Sequence, residues 1–233
     1  MSEAAGRDFI VEGMLVLAGN DNRSLDDLLR KVAAALASGD GAQYAARGKR
    51  SQSFLKGEIS TRRITLNHPD FTEATGYPDS WLSLAADRYG TGQSVIFVGI
   101  QIGHPGEQLD VEWKLGLSLM IRLVIELSPL FACMNGKLLD LERVILPHQE
   151  ALQSSPLPLC FTPWTYFDLG ELTADIKKRL ALLPAPFTAP LARGWVVQAL
   201  EKIDDPVRPE FLSALAELND PPIRYIQPIL EMR

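Results

Sequence analysis

Cysteine is scarce in this sequence, which excludes a fold held together by disulfides. The chain of 233 residues contains two cysteines, Cys133 and Cys160, and each lies within an apolar run. Small secreted domains carry many closely spaced cysteines, whereas isolated ones of this kind are typical of buried thiols in a reducing compartment. The two residues also lack the CxxC spacing of a zinc site.

Histidine is equally rare, and no motif for metal or phosphate binding is present. The three histidines, His68, His104 and His148, are far apart and form no helical pair of the HExxH kind. The glycine-rich run at 90–94 follows an expected helix and precedes an expected strand. This order is the reverse of the one in which a helix N-terminus binds an anion. We therefore expect neither a metal ion nor a cofactor.

Positive charge is in deficit. The chain has 23 basic and 29 acidic residues, a net charge of −6, and a pI near 5.2. Binding to nucleic acid needs a basic surface that displaces counterions, so we expect no nucleic-acid partner. A partner with a basic surface is easier to accommodate, although mild acidity also serves solubility alone.

Long uncharged apolar segments are absent as well. The longest apolar stretch, 111–127, contains four charged residues, so we interpret it as a buried helix and expect no membrane span. Lys114, Ser118, Arg122 and Glu126 recur every fourth residue and predict one narrow polar stripe along this helix. The N-terminus has no basic start followed by an apolar segment, so we expect a cytoplasmic protein without a secretory signal.

The sequence does contain a clear succession of strand and helix patterns. Alternating apolar residues predict strands at Phe9–Leu17 and, twice, within Phe54–Leu66, while Val95–Ile102 is apolar on both faces and predicts the central strand. Ser24 and Asp27 have the spacing of a helix-capping box. Further strands are predicted at 130–134, 159–162 and 195–200, and helices at 24–39, 79–90, 141–152, 172–183 and 209–218.

These patterns predict a single α+β domain over residues 1–233, with a mixed, mainly antiparallel sheet and helices packed on its faces. A hydrophobic content of 46% is ample for one core. Residues 39–53 are small, polar and locally basic, and predict a flexible loop. The prolines within 184–190 predict a rigid crossover or, alternatively, the boundary of a C-terminal extension. We favour the crossover because both flanking segments are too apolar to stand alone.

Two kinds of side chain are candidates for contact with a partner. Acidic clusters can steer and orient a basic protein surface, with ordinary solvated surface as the alternative. Such clusters could also supply an acid and a base, but nothing here sets one carboxylate's pKa apart from another's. The candidate carboxylates are Glu107, Asp110, Glu112, Asp140 and Glu142.

Aromatic residues are the second kind of candidate. Trp164 and Tyr166 lie between two expected elements, where they could anchor an interface, with packing inside the protein as the alternative. Trp81 and Trp113 fall within helical patterns, so we expect them in the core.

The first 135 residues or so resemble a class of bacterial immunity proteins in their order of elements. The similarity rests on the strand, capped helix, two strands and apolar strand described above, followed by LSLMIRLVIELSPLFACMNG at residues 117–136. It is closest to families of the immunity protein 52 kind, which are encoded beside polymorphic or type VI secretion toxins. The resemblance carries no binding residue across, because such proteins meet different toxins through different surfaces.

The resemblance implies a non-enzymatic protein that covers or distorts the active site of a cognate toxin acting in the cytoplasm. One alternative is a small-molecule enzyme or ligand-binding protein whose site is assembled from distant loops, with His104, Glu107, Asp110 and Arg122 as the nearest cluster in sequence. Another is a structural subunit of a secretion machine, which would form an obligate oligomer through a large apolar patch.

Overall fold

Eleven β-strands and three α-helices have described bounds in the computed structural model. The described residues are 9–17, 24, 27, 54–56, 59–67, 81–88, 94–102, 109–136, 157–168, 170, 172–220 and 222–228. The strands are β1 (Phe9–Val16), β2 (Phe54–Lys56), β3 (Ile59–Asn67), β4 (Trp81–Arg88), β5 (Ser94–Ile102), β6 (Phe131–Asn135), β7 (Cys160–Phe161), β8 (Trp164–Phe167), β9 (Phe187–Leu191), β10 (Gly194–Gln198) and β11 (Arg224–Tyr225). The helices are α1 (Leu109–Leu127), α2 (Ala174–Ala181) and α3 (Pro209–Ala216).

Nine of these strands form one sheet in the order β2-β3-β4-β5-β1-β6-β8-β10-β9. Every neighbouring pair in this sheet is antiparallel. Strands β7 and β11 pair in parallel and form a separate two-stranded sheet. The predicted α+β class with mainly antiparallel strand pairing is therefore confirmed, and the parallel pair lies in the separate small sheet.

The predicted central strand, β5, lies inside the sheet between β4 and β1. Val95 and Ile96 point to opposite faces and neither is exposed at all. Val95 belongs to the hydrophobic cluster on one face and Ile96 to the cluster on the other. Along its first half this strand is therefore covered on both sides, which explains why its sequence is apolar without alternation.

Helix α1 covers the first face of the sheet, where it contacts β1, β6 and β5. Its buried residues Leu123 and Val124 share one hydrophobic cluster with Leu15 of β1. Ser128 follows the helix in the left-handed region, with φ of +47°, and Pro129 comes next. A left-handed residue followed by proline is a common way to end a helix, because proline cannot continue its hydrogen bonding.

The outer side of α1 carries the predicted polar stripe. Lys114, Ser118 and Glu126 are exposed and Arg122 is partly exposed, while Ile125 beside them is 54% exposed. The Ser118 hydroxyl donates a hydrogen bond to Lys114 O at 3.1 Å, within the helix. None of the three helices with described bounds is long and apolar enough to cross a membrane.

The second face of the sheet is covered by α2, α3 and the segment around β7. Leu180 of α2 and Phe211 of α3 pack there in one cluster with Phe167 of β8. Cys133 and Cys160 belong to the same cluster as buried free thiols, in agreement with the sequence. Helices thus pack on both faces of the sheet.

Residues 81–88 form strand β4, so the prediction of a helix over 79–90 is wrong. The strand pairs with β3 on one side and with β5 on the other, along its length from Trp81 to Arg88. Closely spaced apolar residues fit either a helix or a strand. The segment is a strand because it pairs with two neighbouring strands, and local sequence does not reveal that pairing.

The predicted capping box at Ser24 is confirmed, and helix α2 also begins with a side-chain cap. The Asp27 N–H donates to the Ser24 hydroxyl at 3.1 Å, and that hydroxyl donates to the Asp27 carboxylate at 2.6 Å. At α2, the Ile176 N–H donates to the Thr173 hydroxyl at 3.3 Å. The predicted helices at 172–183 and 209–218 are confirmed as α2 and α3. The predicted loop at 39–53 and helix at 141–152 lie outside the described residues.

The proline-rich stretch at 184–190 leads from α2 to the edge of the sheet. Its second half belongs to strand β9, which forms a hairpin with β10. Ala192 and Arg193 make the two-residue loop of this hairpin, and Ala192 has a φ of +49°. A positive φ at a hairpin loop is usually supplied by glycine or asparagine, so alanine is strained here.

Candidate partner-binding surfaces

The structure describes only part of the acidic surface that the sequence singles out. Asp110 and Glu112 lie in the first turn of α1. Glu107, Asp140 and Glu142 lie outside the described residues, as does His104 of the alternative cluster. Contact of these carboxylates with a basic partner therefore stays a prediction.

Trp164 and Tyr166 are core residues, and the interpretation of both as exposed anchors has to be corrected. They lie in β8, inside the sheet between β6 and β10, and are 1% and 0% exposed. Both rings pack in the cluster under α1. The sequence predicts a connection here because the strand has only four residues, too few for a clear alternating pattern. Trp113 is a core residue of α1, as predicted.

A small polar cluster lies where β8 ends beside the start of β10. The Asp168 carboxylate, 9% exposed, is 3.4 Å from Nε of Arg193, which is 76% exposed. The Asp168 N–H donates to Leu130 O at 2.7 Å and so holds the end of β8 against the start of β6. Arg193 lies in the hairpin loop, so this ion pair joins the loop to the adjacent strand.

The Tyr166 hydroxyl completes this cluster from within the core. Burial raises the pKa of Tyr166 to about 12, the Asp168 carboxylate adds to the increase, and the Arg193 guanidinium opposes it. The hydroxyl approaches the Gly194 backbone but makes no hydrogen bond of ordinary geometry in the described part of the chain. At neutral pH the phenol is therefore protonated and can donate a hydrogen bond, but it cannot act as a base.

Gly194 lies under the Tyr166 ring, and no other residue fits there without movement. A Cβ at this position would lie 2.1 Å from Phe167 O and 2.8 Å from Cζ of Tyr166. The ring thus replaces the side chain that the glycine lacks, as aromatic residues often do across paired strands.

In the C-terminal part of the chain, acidic and basic side chains predominate in separate segments. Residues 201–220 contain six carboxylates and two basic side chains, a net charge of −4 out of the chain's −6. Five of the six carboxylates belong to exposed residues and Asp205 is half-buried. We call this the acidic surface; its carboxylates are Glu201, Asp204, Asp205, Glu210, Glu217 and Asp220.

A basic region adjoins the acidic surface. Residues 174–193 contain four basic side chains and one carboxylate, Asp175, a net charge of +3. Arg179 of α2 donates a hydrogen bond to the carbonyl of Glu217 at the end of α3, which brings the two regions together. The C-terminal part of the molecule therefore presents neighbouring surfaces of opposite charge.

Buried side chains hold the acidic surface in place. Ile203 is fully buried and fixes the loop that carries Asp204 and Asp205. The Lys202 N–H donates to the Asp205 carboxylate at 2.9 Å and closes that turn. In α3, Phe211 and other apolar residues pack into the core while the opposite side faces solvent. The carboxylates therefore project from a rigid support.

The chain matches no protein-family model, and no curated protein matches it. Among solved structures it is similar to the Pseudomonas aeruginosa T6SS protein PA0821, with a TM-score of 0.40 and 14% identity. That alignment covers 94% of this chain and 74% of the other.

The acidic surface was missed in the sequence, although a signal for it is present. The signal is the net charge of −4 over the twenty residues 201–220, whereas the most closely spaced carboxylates lie at 107–112 and 140–142. The sequence does not show that these carboxylates are exposed, because the same segment also contains apolar residues that become buried, such as Ile203 and Phe211. Among the described residues, no group of histidine, cysteine and carboxylate side chains is arranged to hold a metal ion.

Proposed function

We propose that this chain is an inhibitory binding protein of the immunity class, which neutralises a cognate bacterial toxin acting in the cytoplasm. The observation that carries the proposal is the acidic surface, where six carboxylates, five of them exposed, give residues 201–220 a net charge of −4. The order of elements in the first part of the chain supports the same reading, since it resembles that of immunity proteins of polymorphic and type VI secretion toxins.

Charge is the means by which such a protein would find its toxin. A surface on which negative charge predominates attracts a basic partner and raises the association rate, most strongly at low ionic strength. Many toxins that act on nucleic acids or nucleotides must present basic groups to phosphate, and an acidic inhibitor competes for those groups. The partner we propose therefore has a basic surface at or near its active site.

Rigidity is the second requirement, because ordering a flexible segment on binding costs free energy. Ile203 is fully buried in the cluster of the first face and Phe211 in that of the second, and they anchor the loop and the helix that carry these carboxylates, so little ordering is needed there. The predicted carboxylates Glu107, Asp110, Glu112, Asp140 and Glu142 are proposed as additional contacts to the same partner.

The test uses the toxin encoded beside this gene, with growth protection and binding kinetics as readouts. Glu210 and Asp175 make a matched pair of substitutions, because each lies exposed in the first turn of an eight-residue helix. Glu210→Lys lies in the acidic surface, whereas Asp175→Lys makes the same charge change in the basic region. We expect Glu210→Lys to slow association several-fold at low salt and Asp175→Lys to leave it unchanged or faster.

A triple variant, Glu201→Lys/Asp204→Lys/Glu210→Lys, should slow association more than tenfold and abolish protection of growth. Raising the salt concentration should bring the variant and the wild type closer together, because mobile ions screen exposed charges. Equal effects of Glu210→Lys and Asp175→Lys would reject the acidic surface as the contact. Failure of the wild type to bind the neighbouring toxin would reject the immunity function itself.

A second candidate function, ligand binding, is favoured by one observation. The buried Tyr166 hydroxyl approaches the Gly194 backbone and the Asp168 carboxylate, but within the described part of the chain it makes no hydrogen bond of ordinary geometry. A small ligand with an acceptor group could satisfy the hydroxyl there. If this is the function, a screen of polar metabolites by thermal shift should find a compound that stabilises the wild type and not Tyr166→Phe.

A further inference from the structure

Among the strands that the structure describes, β9 is the last at one edge of the nine-stranded sheet. A strand at such an edge presents main-chain N–H and C=O groups to which another strand can be added. Partners and second copies of the same chain both use this mode of binding. Whether β9 can bind in this way depends on which of its main-chain groups point outward.

The hydrogen bonds of the neighbouring strands fix that direction. The Ala199 N–H donates to Pro163 O at 2.8 Å, so the odd-numbered residues at this end of β10 direct their main-chain groups toward β8. The even-numbered residues of β10 therefore face β9, where their partners are 187, 189 and 191. The two remaining residues of β9, Thr188 and Pro190, direct their main-chain groups away from the sheet.

This outward row is poor in hydrogen-bond donors. Pro190 has no N–H, and neither has Pro186, which precedes Thr188 by two residues. Both prolines are exposed. A strand added antiparallel to β9 around Thr188 would leave its own carbonyls opposite the two prolines without donors. Unsatisfied carbonyls in a newly buried ladder oppose association.

We infer that Pro186 and Pro190 close this edge of the sheet to strand addition, both by a partner and by a second copy of the chain. The side chains around them would otherwise favour association, since Phe187 between them is 49% exposed. A partner can still contact such side chains, but it cannot extend the sheet at β9. The inference does not depend on the identity of the toxin.

The experiment restores the missing donors. Threonine is chosen because it suits a strand and adds little apolar surface. The double variant Pro186→Thr/Pro190→Thr is compared with the wild type and with Pro206→Thr, which makes the same change at an exposed proline outside any strand. Sedimentation velocity is measured over a range of protein concentrations, after circular dichroism has shown that each variant is folded.

We expect the double variant to approach twice the mass of the wild type as its concentration rises, while Pro206→Thr sediments as the wild type does. Amide hydrogen exchange of residues 187–191 should slow with concentration in the double variant alone, which locates the new contact at β9. A folded double variant that sediments as the wild type does would overturn the inference, and so would association without slower exchange at β9. If the double variant does not fold, Pro190→Thr alone decides by the same two measurements.

Discussion

Gly13 of β1 lies directly beneath Met120 of α1, and the end of the Met120 side chain occupies the space that a side chain at Gly13 would take. A Cβ at position 13 would lie 2.6 Å from Sδ of Met120 and 3.1 Å from its Cε. Met120 is 1% exposed, so its side chain has little room to move aside. The pair thus couples a strand position and a helix position in the middle of the core.

Substituting Gly13 by alanine should destabilise the protein by about 1–2 kcal/mol, because overpacking a core costs roughly 1–3 kcal/mol and alanine's better strand propensity offsets part of this. Met120→Ala alone should cost about 2–5 kcal/mol through the cavity it creates. In the double variant the new methyl group enters that cavity, so its loss of unfolding free energy in urea should be smaller than the sum. Strict additivity would show that the two residues do not meet.

The Thr188 hydroxyl joins the edge strand to a helix and to a tryptophan. It accepts a hydrogen bond from Nε1 of Trp195 at 2.8 Å and donates one to Leu180 O at 3.1 Å. Thr188→Val keeps the shape but leaves the Trp195 indole N–H without its acceptor, whereas Leu180 O keeps its hydrogen bond from the Leu183 N–H. The unsatisfied indole should lower the free energy of unfolding by about 1–3 kcal/mol. Thr188→Ser, which keeps the hydroxyl, is the control and should cost less. Equal losses in the two variants would mean that the hydroxyl contributes nothing.

The elements that the sequence predicted correctly are those whose signal is local. The cap of Ser24 on Asp27, the end of α1 at Pro129 and the apolar run of β5 each depend on residues within a few positions of one another. Strand β4 was assigned to a helix because its identity depends on two neighbours, β3 and β5, that lie elsewhere in the chain. Local spacing cannot distinguish a strand from a helix when apolar residues follow one another closely over a short run.

For the candidate surfaces, too, local or compositional features could be predicted and features that depend on distant contacts could not. The acidic character of the chain and the two buried cysteines could be read from composition, whereas the burial of Trp164 and Tyr166 could not. Those two residues became core because β8 lies between β6 and β10, a pairing across long sequence separations. The exposure of the acidic surface likewise depends on Ile203 and Phe211, which anchor it by contacts that no local pattern records.

Replacing Ala192 by glycine should stabilise the protein. Its φ of +49° costs an L-residue roughly 1–2 kcal/mol, part of which is offset because alanine loses less entropy than glycine on folding. Ala192→Gly is therefore expected to raise the free energy of unfolding by about 0.5–1 kcal/mol. Gly194→Ala, two residues along the same hairpin, should do the opposite, since its Cβ would lie 2.1 Å from Phe167 O. If Ala192→Gly lowers the midpoint of urea unfolding, the loop is not strained.

Stability should fall at alkaline pH because four buried groups resist ionisation in the folded state. Burial raises the pKa of Cys160 and of Tyr166 to about 12, and it also raises those of Cys133 and Tyr225. In the unfolded chain thiols lose protons near pH 8.5 and phenols near pH 10. Between these values and pH 12 the unfolded state binds fewer protons, so the free energy of unfolding decreases as the pH rises.

Substitutions can show how much each group contributes to this decrease in the free energy of unfolding. Each group that ionises only in the unfolded state contributes a slope of up to about 1.4 kcal/mol per pH unit. The free energy of unfolding, measured in urea from pH 7 to 11, should therefore be constant up to about pH 8 and then decrease. The thiols cause the first part of the decrease and the phenols the later part. Cys160→Ala should flatten the fall that begins near pH 8.5, whereas Tyr166→Phe should flatten only the part above about pH 10, because a phenol ionises later than a thiol. A wild-type stability that stays constant to pH 11 would show that these groups are open to solvent.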